Sequence, residues 1–259
     1  MAMTIFYPVG QNLYVNLTNQ CPCNCTFCIR QNGDGAYGSD SLWLEHTPTF
    51  EEVQAACPKD LGKYHEIVFC GYGEPSEALD VLCQTAAYLK QQPGCPPLRI
   101  NTNGLSDLIH GAPTAHRFQG LIDTVSISLN AGDEQEYNQV TRPKFPEAFQ
   151  ALQRFAVDCK QYVPHVMFTV VDVIPKEQIR LSRNWLIGWA FPCGYAPTIR
   201  NRYTHPIRQK PDCEYSRASL ISDTITWCRR SGHRRLPYRE RCKRLRSVQI
   251  GRASCRERV

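Results

Sequence analysis

The sequence predicts an α/β protein in which parallel strands alternate with helices around a barrel-like sheet. From the start to about residue 180, short β-type runs alternate with longer helix-compatible segments, and each run is closed by Gly, Pro, Asn or Asp. Connections of that length demand right-handed crossovers between parallel strands. The expected strands are Leu13–Leu17, Glu66–Phe69, Leu98–Thr102, Thr124–Leu129 and Val166–Val171. The expected helices are Thr49–Ala56, Glu77–Gln92, Ser106–Phe118 and Phe145–Gln161. The first opens on Thr49 followed by Glu51 and Glu52, acidic residues that favour the positive end of the helix dipole. In the last, Phe149, Leu152, Phe155 and Ala156 recur at helical spacing and form a core-facing stripe. In such sheets sites form at the C-terminal ends of strands, so motifs that follow a strand carry the most weight.

Composition narrows the class. The 259 residues are ample for a sizeable core. No apolar run reaches the length of a membrane-spanning helix, so no membrane partner is expected. Met1–Gly10 has neither a basic nor an apolar signal region, which makes the cytoplasm the expected compartment. Reduced thiols are expected there, so the 14 cysteines point to metal ligation more than to disulfides. Cys57, Cys70, Cys83 and Cys159 adjoin apolar residues and read as small buried hydrophobes.

The loop after the first expected strand runs from Asn19 to Arg30 and places Cys21, Cys25 and Cys28 as C-x3-C-x2-C. This spacing can bring three thiolates to three corners of a 4Fe–4S cube and leave one iron without a protein ligand. Such an iron can chelate an amino and a carboxylate group. The alternative is a zinc knuckle with Cys23 as fourth thiolate, but zinc usually takes paired ligands from separated segments, and no clear second pair follows.

Three later strand ends support a ligand site. The second reaches Cys70-Gly71-Tyr72-Gly73-Glu74-Pro75, where glycines allow close backbone approach and Glu74 can accept from an ammonium. The third ends in Asn101-Thr102-Asn103, the fourth in Ser126-Ile127-Ser128-Leu129-Asn130. Alternate residues share a face, so Asn101 with Asn103, and Ser126 with Ser128 and Asn130, can point inward, where a bound ligand or the neighbouring polar ladder would pair them. Arg142 offers a cation to a carboxylate or to solvent.

The segments NLTNQCPCNCTFCIRQNGDG, SLWLEHTPT, VFCGYGEPSE, RINTNGLSDLIHG, DTVSISLNA and VVDVIP, spanning roughly residues 10–180, resemble the radical SAM superfamily. More narrowly, they resemble its TatD-associated members. The resemblance implies a partial (β/α)6 TIM-barrel-like core, a 4Fe–4S cluster on Cys21, Cys25 and Cys28, and S-adenosylmethionine (SAM) as cosubstrate. It also implies Phe27 against the adenine, and Gly71, Tyr72, Gly73 and Glu74 around the methionyl amino group. Asn103, Ser128 and Asn130 are implied at the ribose or carboxylate, with Arg142 a further candidate for the carboxylate. An unknown substrate and an electron donor such as flavodoxin or ferredoxin complete the expected partners.

Beyond residue 180 the pattern breaks. Residues 1–180 hold 12 Lys+Arg against 19 Asp+Glu, whereas residues 181–259 hold 18 against 5. Trp185–Thr198 shows neither helical nor strand period. Back-translated with permitted codons and moved into the neighbouring frame, it encodes a helix end, a Gly-Ile-Pro turn and an alternating strand. The expected organisation is therefore a core over 1–180, an out-of-frame tail over 181–249 in which the sixth strand is lost to a frameshift, and a translated sequencing adapter over 250–259. The rival reading is a nucleic-acid-binding module that uses Arg229–Arg246, with His205, Cys213, Cys228, His233 and Cys242 as a zinc group.

Overall fold

A computed structural model describes residues 3–171, 174–189 and 193–196. Its sheet has seven strands in sequence order, β1 to β7. β1 (Phe6–Val9) and β2 (Asn12–Val15) form an antiparallel hairpin across Gly10, whose φ of 58° suits a tight two-residue turn. β3 (Ile67–Phe69), β4 (Leu98–Thr102), β5 (Thr124–Ser128), β6 (His165–Val171) and β7 (Cys193–Ala196) then add in parallel, giving six parallel strands from β2 to β7. The five expected strands are all present, with ends within two residues of those read from the sequence.

The helices follow suit, with instructive departures. α1 (Phe50–Ala56) starts at a capping box in which Thr49 Oγ1 accepts from the Glu52 N–H and the Glu52 carboxylate accepts from the Thr49 N–H. The expected Glu77–Gln92 helix is a 3-10 turn over Pro75–Ala78 leading into α2 (Leu79–Lys90). The expected Ser106–Phe118 helix breaks after α3 (Ser106–His110), because Gly111 takes a left-handed C-cap at φ 64° and Pro113 follows. α5 (Ala148–Cys159) lies within its expected span, three residues short at the start and two at the end. Two helices went unforeseen: α4 (Glu134–Thr141), capped by Asp133, and α6 (Lys176–Trp189), which runs through residue 180.

One face of the sheet packs on the helices through Leu13, Val15, Ile67, Phe69, Leu98, Ile100, Val125, Ile127, Phe168 and Val170, all buried. α5 contributes Phe149, Leu152, Phe155 and Ala156 to this core, and Phe155 meets Phe118 edge-on at 6.3 Å. Phe155 is fully buried, so Phe155→Ala is expected to cost about 3–5 kcal/mol by urea unfolding. Cys83 and Cys159 also lie in this core, whereas Cys57 and Cys70 are half-buried. The opposite face carries Tyr14, Val68 and Met167 but is polar over β4 and β5, where its positions are Arg99, Asn101, Thr124, Ser126 and Ser128, with Thr169 beside them on β6.

The sixth parallel strand, expected to be lost, is present as β7, paired from Phe168↔Cys193 to Val171↔Ala196. The free ladder edge of β6 accepts a short extended segment whatever its apolar pattern, which is why periodicity did not reveal it. The described residues fall in one compact unit, Met1–Arg202. Arg229–Arg246, the His205–Cys242 zinc group and the adapter-like 250–259 lie outside the described residues. Among the described residues no helix is long and apolar enough to cross a membrane.

Candidate active site

The cysteine loop begins just past the C-terminal end of β2 and is fastened to α4. Helix C-termini leave carbonyls without intrahelical donors. Here the loop supplies the donors: Thr26 N–H to Val140 O at 2.9 Å, and Asn24 N–H to Thr141 O at 3.1 Å and Arg142 O at 3.2 Å. Cys23 bridges Pro143, and Lys144 N–H donates to Pro22 O at 2.7 Å. The Arg142 backbone, left-handed at φ 45°, closes α4 at this seam, while its side chain is exposed.

Cys21, Cys25 and Cys28 are half-buried free thiols on this loop, and Cys23 is buried between them. Cys23 lies against Cys21 and Cys25, and this proximity lowers the pKa of the outer two thiols and raises that of Cys23. Thiolates are the ligand form of cysteine, so this favours metal binding by the outer pair. Cys28 receives a bond from Arg30 Nε at 3.4 Å. Among the described residues no three His, Cys, Asp or Glu side chains converge on the position of a single ion. A cube-shaped cluster takes its thiolates at separate corners. Beside the loop lies a cleft of about 430 Å³ that includes Cys21, Arg30, Glu77, Lys144 and Phe145. Phe27 is half-buried on the same loop.

The turn after β3 lies flat on the start of the cysteine loop. A Cβ on Gly73 would sit 2.3 Å from Thr18 O and 2.6 Å from Gln20 O, and one on Gly71 would sit 2.0 Å from Asn16 Oδ1. Glu74 N–H donates to Gln20 O at 2.8 Å in the same seam. Because the obstacles at Gly73 are backbone atoms, Gly73→Ala must push the two loops apart. It is expected to cost about 1–3 kcal/mol by thermal unfolding and to lower iron retention.

The Glu74 carboxylate is buried and accepts four hydrogen bonds: Thr102 Oγ1 at 2.6 Å, Ser76 Oγ at 2.8 Å and Ser76 N–H at 3.2 Å on Oε1, and Asn103 N–H at 2.7 Å on Oε2. Burial raises its pKa, against the lowering effect of these bonds. Glu74 thus clamps the ends of β3 and β4 together. Tyr72 turns its ring into a second apolar cluster with Tyr7, Ala36 and Leu42, donates to Gly33 O at 2.6 Å, and meets Trp43 edge-on at 5.1 Å.

Asn103 spans from β4 to the cysteine loop: its Nδ2 reaches Cys23 Sγ at 3.8 Å and its Oδ1 accepts from Leu105 N–H at 2.9 Å. Asn101 pairs with Ser126, Ser126 with Met167 and Ser128 with Thr169 across the polar face. Asn101 Oδ1 is buried without a donor among the described residues. Cys70, next to Asn101, stays protonated because burial pushes its thiol up to about 11. Asn130 is buried just past β5 in the left-handed region at φ 59°. The structure therefore gathers Cys21, Cys25, Cys28, the Gly71–Glu74 turn and Asn103 around one seam, with Ser128 and Asn130 at the adjacent strand end. Sequence reasoning missed Arg30, Thr102, Ser76 and the α4 carbonyls. The Asp133 cap with Glu136 three residues later was the available sign of α4.

No family model matches this chain. It is similar to a GTP 3′,8-cyclase of Rhodococcus opacus (strain B4), 29 % identical over 141 residues that take in 53 % of this chain and 37 % of that protein. Among solved structures it is similar to anSMEcpe with bound AdoMet, at 16 % identity and a TM-score of 0.54 over 78 % of this chain and 55 % of that one. It is also similar to SuiB of Streptococcus suis, at 16 % identity and a TM-score of 0.52 over 79 % of this chain and 43 % of that one. The chain thus spans little more than a third of the curated relative and about half of these structures. The likeness to these solved structures shows the fold: an α/β sheet of six parallel strands with the cysteine loop at the end of the first of them.

Proposed function

We propose that this chain is a radical SAM enzyme of the TatD-associated type, acting in the cytoplasm on a substrate still to be identified. The observation that carries the reading is the group of three half-buried thiols on one loop, held at a parallel strand end by α4 and by the Gly71–Glu74 turn. The donor set fits a 4Fe–4S cluster: Cys21 and Cys25 are biased toward thiolate, and Cys28 faces the Arg30 guanidinium. A cluster held there would supply the one electron that splits the sulfonium C–S bond of SAM into methionine and a 5′-deoxyadenosyl radical.

The chain's own residues position and shield that chemistry. Cys21, Cys25 and Cys28 hold three irons. The Gly71–Gly73 backbone, set by the Glu74 clamp, receives the methionyl ammonium. Phe27 lies against the adenine, while Asn103, Ser128 and Asn130 pair the ribose and carboxylate. Arg142 serves this site through its backbone, which fixes the loop. A flavodoxin or ferredoxin supplies the electron. Anaerobic reconstitution tests the reading: about four irons and four sulfides per chain are expected, and a colourless protein with tightly bound zinc would sink it.

The out-of-frame reading of the segment after residue 180 is a separate proposal. Resequencing the source locus from the codon of Ile174 decides it. A shifted frame that continues into an alternating strand supports it, and the frame as written removes it.

A further inference from the structure

Arg30 sits two residues after Cys28, on the 3-10 turn Ile29–Asn32. Its guanidinium donates from Nε to Cys28 Sγ at 3.4 Å and from Nη1 to Asn19 O at 3.1 Å, and it lies 5.9 Å from the Trp43 ring centroid. Trp43 packs in turn on Tyr72 of the Gly71–Glu74 turn. The cation is therefore held from the start of the cysteine loop, from its end and from an aromatic wall. Among the described residues no carboxylate forms an ion pair with it, so the charge it faces is that of the cysteine sulfurs.

We propose that Arg30 is a positioning residue that raises the reduction potential of the cluster, an inference that rests on the functional reading above. One electron from a low-potential donor adds one negative charge to the cluster, and no bond is made or broken. A fixed cation that also donates to a ligand sulfur stabilises the reduced form more than the oxidised form. The half-buried setting against Trp43 strengthens that bias by excluding water from one side of the guanidinium.

The test is a reductive titration of the full chain, reconstituted with iron and sulfide in the absence of SAM and followed by electron paramagnetic resonance. At a fixed potential, Arg30→Gln is expected to lower the ratio of reduced to oxidised cluster about tenfold, or about 59 mV for one electron. Arg30→Lys keeps the charge but loses the Nε donor, and should fall between Gln and the native protein. A Gln variant with full iron content and an unchanged potential overturns the inference. If Gln holds no cluster, a second neutral variant, Arg30→Met, decides, and an unchanged potential there overturns it equally. Failure of the native chain to take up iron and sulfide strikes instead at the functional reading.

Discussion

Cys25→Ala is expected to yield a colourless chain that retains little iron and releases no 5′-deoxyadenosine, whereas Cys23→Ala keeps both colour and turnover. The contrast follows from geometry and spacing. Cys23 is buried, bridges Pro143 and accepts from Asn103 Nδ2, so it is a packing and hydrogen-bonding residue. Cys25 is half-buried and biased toward thiolate. Removing it leaves two thiolates for a cluster that needs three from this loop. The loop itself should stay in place, because its staples to Val140, Thr141 and Arg142 are backbone bonds made by Asn24 and Thr26. Iron analysis and thermal unfolding of the apo-proteins separate loss of a ligand from loss of the fold. Bound zinc in place of iron, lost equally from both variants, would favour the four-thiolate zinc alternative.

Substitution at Glu74 should have the largest effect on stability at the site. Glu74→Ala deprives the Thr102 hydroxyl, the Asn103 N–H and both Ser76 donors of their acceptor. Buried donors left unpaired are costly, so a loss of about 3–5 kcal/mol is expected in urea. Glu74→Gln retains an oxygen for the three donors on Oε1 but sets an amide N–H₂ against the Asn103 N–H, and about 1–3 kcal/mol is expected. A Gln variant as stable as the native chain would show that the second oxygen holds nothing. Both variants should also weaken SAM binding, because the clamp sets the backbone of Gly71–Gly73.

Much of this arrangement was legible because its signals are local. Strand ends marked by Gly, Asn and Pro located β2 to β6, and the C-x3-C-x2-C spacing needs no tertiary information. What escaped depends on contacts distant in sequence or on weak local pattern. β1 carries Pro8, which argues against a strand, yet the structure tolerates it because β1 is the edge of the sheet. α4 is short and polar, with only Tyr137 and Thr141 buried, so it lacks the apolar stripe that revealed α5. Its role in holding the cysteine loop is a pairing across more than 110 residues of sequence. Glu74 reads in sequence as a free acceptor for an ammonium. Only the fold brings Thr102 and Asn103 onto it. Tyr72 likewise reads as part of a ligand turn, but its ring belongs to the apolar cluster under Leu42.

The central claim is that this loop serves SAM cleavage, and the most direct measurement is product release. The reconstituted chain, incubated anaerobically with SAM and dithionite, is predicted to form 5′-deoxyadenosine, with none formed when dithionite is omitted or Cys25 is replaced. A fully loaded iron–sulfur protein that leaves SAM intact under these conditions would contradict the account.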